Sequence, residues 1–182
     1  PFWRFRIPSR KFFKPLSIFS VSMGVLVYVF MNLSLYHSSI ISPIILGSQL
    51  AIPFGILASA FILKENISKN KWLLILASFI GILIIFFDPK LNENYLGLFY
   101  ASLMALFFGL AQVYSRQLKE LPTSMINAST GIFGFSILMI ISILIEGNFY
   151  DNVKDINFSS WILISYQAVI VSLCAHLLMF YL

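Results

Sequence analysis

Long apolar runs, separated by short polar turns, set the pattern of this chain. Six stretches contain no Asp, Glu, Lys or Arg: Leu16–Tyr36, Ser39–Leu63, Trp72–Phe87, Tyr95–Tyr114, Met125–Ile145 and Ser160–Leu182. A membrane span takes about 20 apolar residues, with a range of roughly 17–25. The third stretch is the shortest, and Lys71 and Asp88 at its ends are placed to reach toward headgroups. None of the six alternates with the period of a strand, and backbone groups in hydrocarbon must bond within their own segment. The pattern therefore predicts six helices in an all-α, polytopic transmembrane bundle.

Composition narrows the class. Of 182 residues, 59% are hydrophobic, 16% aromatic and 10% charged. A water-soluble domain averages about 25% charged residues, and a small one leaves much of its surface exposed. A soluble globular enzyme is excluded on that ground. Disorder is excluded too, because it requires low hydrophobicity and high charge. The lone Cys174 has neither a disulfide partner nor metal-ligand companions in its sequence neighbourhood, and reads as a small buried hydrophobe.

The net charge of +5 is distributed by side. Arg4, Arg6, Arg10, Lys11 and Lys14 precede the first stretch, Lys64, Lys69 and Lys71 follow the second, and Arg116 and Lys119 follow the fourth. The other side has Lys90 and Lys154, so alternate connections carry ten basic residues against two. The positive-inside rule then places Pro1–Pro15, Lys64–Lys71 and Ser115–Pro122 in the cytoplasm. Pro1–Pro15 reads as a cytoplasmic loop, with a basic amphipathic anchor as the alternative. Trp3, Phe12, Phe13, Trp72, Phe149, Tyr150 and Trp161 fall near the span edges, as in an interfacial belt. Basic residues split among short turns do not form a nucleic-acid surface. Asn32, Asn66, Asn127 and Asn157 each begin an Asn-x-Ser triplet, but only Asn157 faces outward on this topology, so the triplets read as chance.

A more specific pattern lies in the second and third spans. Pro53 sits inside the second, Glu65 follows at its cytoplasmic end, and a polar turn over Asn66–Lys71 leads to Trp72 and a Leu/Ile-rich helix with Gly81. The stretch AIPFGILASAFILKENISKNKWLLILASFIGILII resembles the fourth and fifth helices of the EamA-like branch of the drug/metabolite transporter superfamily. NLSLYHS at Asn32–Ser38 resembles that family's turn between helices three and four, and GLFYASLMALFFGLAQVYSRQL at Gly97–Leu118 resembles the opening helix of its second half. The resemblance implies two five-helix repeats of inverted topology. The six spans would be helices three to eight of ten. Residues 1–90 would close the first repeat and 91–182 open the second, and the chain reads as a piece of a longer protein. Inverted repeats with an odd helix number require spans one and six to cross in opposite directions. The charge pattern gives that result, and Gly24–Leu35 aligns loosely with Val171–Leu182.

Polar residues within spans are costly and tend to face a bundle interior or a cavity. Stripes at helical spacing are Gly24, Tyr28 and Asn32; Ser42, Gln49 and Pro53; Ser102, Gly109 and Gln112; and Ser165, Ser172 and His176. From these, Tyr28, Asn32, Gln49, Pro53, Gln112 and His176 are the candidate lining residues of a substrate cleft. Tyr114 and Tyr166 would add an aromatic wall. Small and polar residues equally serve helix contacts, and Asn127, Gly131, Gly134, Ser78 and Gly81 are expected to do so. His176 reads either as a site residue or as a satisfied buried histidine. Pro53 reads either as a functional kink or as a tolerated membrane proline. Glu65 is expected to pair with Lys64, Lys69 or Lys71, and His37 to meet water.

The resulting expectation is a carrier of small metabolites working by alternating access. The resemblance implies amino acids, nucleotide-type metabolites or drugs as solutes. No span carries a carboxylate, so coupling lies outside these helices or transport is passive or by exchange. The alternative is a noncatalytic membrane subunit or scaffold. An intramembrane enzyme is not expected, because no Ser–His pair, paired Asp or HExxH is recognisable. The expected partners are the solute, the bilayer and, for a homodimer, a second copy of the chain. No cofactor, metal or nucleic acid is expected. Abundant Ile and Phe, with Asn, hint at an AT-rich bacterial genome, which makes the bacterial inner membrane the expected location.

Overall fold

A computed structural model describes residues 9–87, 94–146, 154 and 156–170, and those residues are helical apart from their turns. Among the described residues, four helices are long and apolar enough to cross a membrane: Arg10–Tyr36, Ile44–Ile62, Tyr95–Gln117 and Thr123–Ile145. Cys174, Ser172, His176 and the end of the sixth predicted span lie outside the described residues, as do Trp3, Lys90, Phe149 and Tyr150. The chain forms two compact units, Pro1–Phe135 and Ser136–Leu182.

The first helical rod comprises α1 (Arg10–Val21), a π-helical turn (Ser22–Leu26) and α2 (Val27–Tyr36). At 1.5 Å per residue its length is about 40 Å, more than the hydrocarbon core of about 30 Å. The basic segment Arg10–Pro15 is thus not a loop. It extends the helix beyond the apolar run, with Pro15 buried inside it.

The second predicted span is interrupted. It divides into α3 (Ser42–Ser48) and α4 (Ala51–Ile62), with a turn at Gln49 and Leu50. Pro53 explains the position of the break. It has no N–H to give the carbonyl four residues back, and its ring crowds that carbonyl. That carbonyl belongs to Gln49, which accepts from Ile52 N at 3.3 Å instead. Leu50 N likewise bonds three residues back, to Gly47 O at 3.1 Å. The proline therefore disturbs the helix at Gln49 rather than at its own place in the first turn of α4. At the far end, Lys64 adopts φ 55°. This left-handed conformation closes many helices and costs a non-glycine residue roughly 1–2 kcal/mol.

Helix α5 (Lys69–Phe86) begins before Trp72, not at it. It packs on α3 and α4. Phe79 and Ile82 lie against Leu50, Ala51 and Ala105, and the Phe54 and Phe79 rings meet at 5.3 Å. Leu73, Leu74, Leu76, Ile80, Leu83 and Ile84 are exposed. A helix with apolar residues on its outer faces is compatible with a lipid surround.

Helix α6 (Tyr95–Gln117) is the centre of the first unit and packs on α1, α2, α3 and α4. Gly97, Ala101, Ala105 and Gly109 recur every fourth residue and are all buried. A Cβ on Gly109 would stand 2.7 Å from Gly55 N and 2.8 Å from Ala51 O, so α4 crosses α6 backbone to backbone. Helix α7 (Thr123–Glu146) starts in the first unit, where Ile126 joins Leu16, Phe19, Ala111 and Leu118. Its Gly134 faces Gly24 in the π-helical turn, and a Cβ on Gly134 would lie 2.8 Å from Gly24 O. Gly24 is therefore a packing residue. Gly81 and Gly131 have open space around their Cα atoms and make no such contact.

In the second unit, α8 (Phe158–Tyr166) is capped by Asn157, whose Oδ1 accepts from Ser160 N at 2.8 Å. Capping gives this Asn-x-Ser triplet a local structural role.

The turns of the first unit meet at two ends. At one, Lys11 Nζ lies 2.8 Å from Glu120 Oε2, and Arg116 Nη1 lies 3.5 Å from Glu65 Oε1. Glu65 thus pairs with Arg116 across the bundle rather than with Lys64, Lys69 or Lys71. At the other end, Ser34 Oγ donates to Gly97 O at 2.6 Å, and Asn94 Oδ1 accepts from Ser39 N at 2.7 Å. His37 is half-buried there and stacks on Tyr100 at 5.5 Å. The segments grouped by these contacts are the ones that the charge pattern assigns to the same side.

Gly109→Val is expected to destabilise the fold by about 1–3 kcal/mol, because the new side chain meets main chain that cannot yield. Gly131→Ala, in open space on α7, should be neutral or stabilising by up to about 1 kcal/mol. Thermal unfolding of the detergent-solubilised variants measures both.

Candidate functional site

The cleft of interest lies between the α3–α4 break and α6. It has a volume of about 370 Å³, within the common range for small-molecule pockets. Gln49, Ser48 and Gln112 supply its polar groups. Val27, Ile52, Met104 and Phe108 supply its apolar walls. Each polar group has a traceable origin. Gln49 is on the turn that Pro53 creates, outside regular helix on both sides. Gln112 projects from α6 next to Gly55, where even an added Cβ would sit 3.5 Å from Gln112 Oε1. The Gln112 amide thus lies within van der Waals reach of α4 at Gly55.

The two amides are chemically available. Among the described residues, neither the Gln49 nor the Gln112 side chain is engaged in a hydrogen bond. Ser48 is different, since its Oγ donates to Ile45 O at 2.7 Å. An amide offers two donors and two acceptor lone pairs. Two free amides on facing walls can therefore grip a solute carrying hydroxyl, amide or carboxylate groups, while Phe108 and Met104 cover an apolar part.

A second cavity of about 140 Å³ adjoins the first. Ile52 and Gln112 face both, and Gly55, Ile56, Val113 and Arg116 complete the smaller one. On α6, Met104, Phe108, Gln112 and Arg116 form a ridge of one lining residue per turn, with Ala105 and Val113 beside it. This ridge runs beside the buried Gly97–Gly109 stripe.

The other sequence candidates sit elsewhere. Tyr28 is half-buried on α2, and its carbonyl accepts from Asn32 Nδ2 at 2.9 Å, so that the Asn32 amide bonds its own helix. Neither residue lines the cleft. Pro53 is buried and acts on the site through the Gln49 backbone. Ser102 Oγ donates to Leu98 O at 2.9 Å, and Tyr114 packs against the Leu16–Phe19 cluster. Ser165 and Tyr166 are exposed in the second unit, and His176 is outside the described residues. Arg116, Phe108, Met104 and Val27 are not among the lining residues expected from sequence, although the every-fourth-residue spacing on α6 carries three of them. Among the described residues, no three His, Cys, Asp or Glu side chains gather as metal ligands would.

No protein-family model, curated protein or solved structure matches the chain.

Pro53→Ala returns a donor to the Gln49 carbonyl and should close the break between α3 and α4. A thiol introduced as Gln49→Cys, in a Cys174→Ser background, should then lose maleimide reactivity relative to the same thiol with Pro53 intact. Equal reactivity would show that Pro53 does not set the position of Gln49.

Proposed function

We propose that the chain is the core of an integral membrane carrier of small metabolites, of the EamA-like drug/metabolite transporter type, that works by alternating access in the bacterial inner membrane. The observation that carries this reading is the cleft at the broken second span, with the unengaged Gln49 and Gln112 amides on opposite walls. Transporters commonly bind solute where a helix is interrupted within the bilayer, since irregular backbone is tolerated there only when it lines a cavity. Four helices long and apolar enough to span, and the apolar outer face of α5, support the membrane setting. The two groups of turn contacts support the topology, with Lys11, Glu65, Arg116 and Glu120 at the cytoplasmic end. The solute is small, with an apolar body and hydrogen-bonding groups. A scaffold needs no cleft with free amides.

Two measurements test this reading. Gln49→Ala and Gln112→Ala should each lower solute uptake into proteoliposomes of the full-length protein by roughly fivefold to tenfold, as expected for one lost hydrogen bond to a sequestered solute. Wild-type uptake in both variants sinks the site assignment. For orientation, single cysteines replacing Ser68 and Lys119 should be shielded from impermeant maleimide in intact cells, and one replacing Ser39 should be labelled. The reverse pattern inverts the topology.

A further inference from the structure

The chemical class of the solute follows from the end of the cleft. Past Gln112 the lining reaches Arg116, one turn along α6, which is the cation among the residues lining the two cavities. Its present partner, Glu65, lies 3.5 Å away, and the two side chains are 54% and 50% exposed. That separation exceeds the usual 2.7–3.2 Å of an N–H···O bond, and an exposed pair of this kind is worth roughly 0–1 kcal/mol. A guanidinium has five N–H donors, in a fork that fits a carboxylate. Among the described residues Glu65 is the charged group that engages it, and at long range.

Resting on the carrier reading above, we propose that the cleft takes an amphipathic organic monocarboxylate whose carboxylate binds Arg116 in place of Glu65. The apolar body lies against Phe108 and Met104, and the Gln112 amide sits between the two parts. Exchange of one carboxylate for another leaves the charge at Arg116 unchanged. A dianionic phosphoryl group would bring excess negative charge beside Glu65, with Arg116 as the cation of the lining. A cationic solute would meet Arg116 at the narrow end. A neutral solute would leave the guanidinium unused.

The test compares matched pairs, phenylacetate with phenylacetamide and hexanoate with hexanamide, on the full-length protein. Binding is read by thermal stabilisation in detergent and by competition with uptake in proteoliposomes. The carboxylates should bind roughly tenfold more tightly than their amides, the usual worth of a charge-assisted bond. Arg116→Gln should abolish that preference, because it weakens carboxylate binding more than amide binding. Glu65→Gln should tighten carboxylate binding, because the internal competitor is gone. A pair that only staples the turn to α6 would instead lower the melting temperature in both variants and move neither affinity. Equal binding of acid and amide, or no binding of either, overturns the inference. The carrier reading fails separately, if a panel of neutral, cationic and anionic solutes shows no protein-dependent flux at all.

Discussion

The close approach of backbones along one side of α6 is the constraint on which the first unit depends. Between helices in lipid there is little hydrophobic driving force, because acyl chains are as apolar as leucine. Association comes from van der Waals packing, which improves as helices approach. Gly97, Ala101, Ala105 and Gly109 make one face of α6 nearly flat, and the end of α2, α3 and α4 settle on it in turn. Ser34 can then donate directly to Gly97 O, and Ala51 O can reach the surface of Gly109. The neighbouring ridge of α6 carries large residues at the same spacing. Met104, Phe108 and Gln112 hold the facing walls apart where the small stripe draws them together. Close packing and cleft are two faces of one helix.

A second constraint comes from the imide of Pro53. The carbonyl it leaves without its regular donor belongs to Gln49, four residues upstream, and the chain compensates with three-residue bonds there. The three-residue bonds fall at the turn between α3 and α4, where Leu50 is buried and Gln49 lines the cleft. Pro53 itself is buried and is not among the residues that line the cleft. A proline can therefore shape a site to which it contributes no surface.

Much of this architecture is legible in the sequence, and the failures have a common cause. The charge-free runs, their boundaries and the grouping of turns by side follow from the cost of charge and bare backbone in hydrocarbon, which is large enough to leave a clear mark. Which small residues pack is not so marked. Gly109, Gly134 and Gly24 are in tight contact while Gly81 and Gly131 face open space, yet all five sit in apolar helical runs. In water, polarity separates the inner face of a helix from the outer one. In lipid both faces are apolar, and only the recurrence of small residues, as from Gly97 to Gly109, records the contact. Gln49 and Gln112 are readable because each is a lone amide in an apolar run. Arg116 is not, because it lies where a cationic flank is expected anyway. Glu65 has three lysines near it in sequence, but its partner comes from another turn at the same end of the bundle.

The two ends of this unit are closed by different chemistry, and the contacts differ in strength. One end is joined by neutral hydrogen bonds that are largely buried: Ser34 is fully buried, and Asn94 is 3% exposed while accepting from Ser39 N. Leaving such a group unpaired costs about 1–3 kcal/mol. The other end is joined by ion pairs whose side chains are half exposed or more, at Lys11–Glu120 and Glu65–Arg116. Water replaces those contacts at little cost, roughly 0–1 kcal/mol each. Of these contacts, Glu65–Arg116 is the one between α6 and the turn that follows α4, and it lies at the charged end beside the smaller cavity. Ser34–Gly97 ties α2 to α6 at the neutral end, and breaking it would strand buried polar atoms. Gln112 and Arg116 therefore line the cleft toward the end that is held by the weaker contacts.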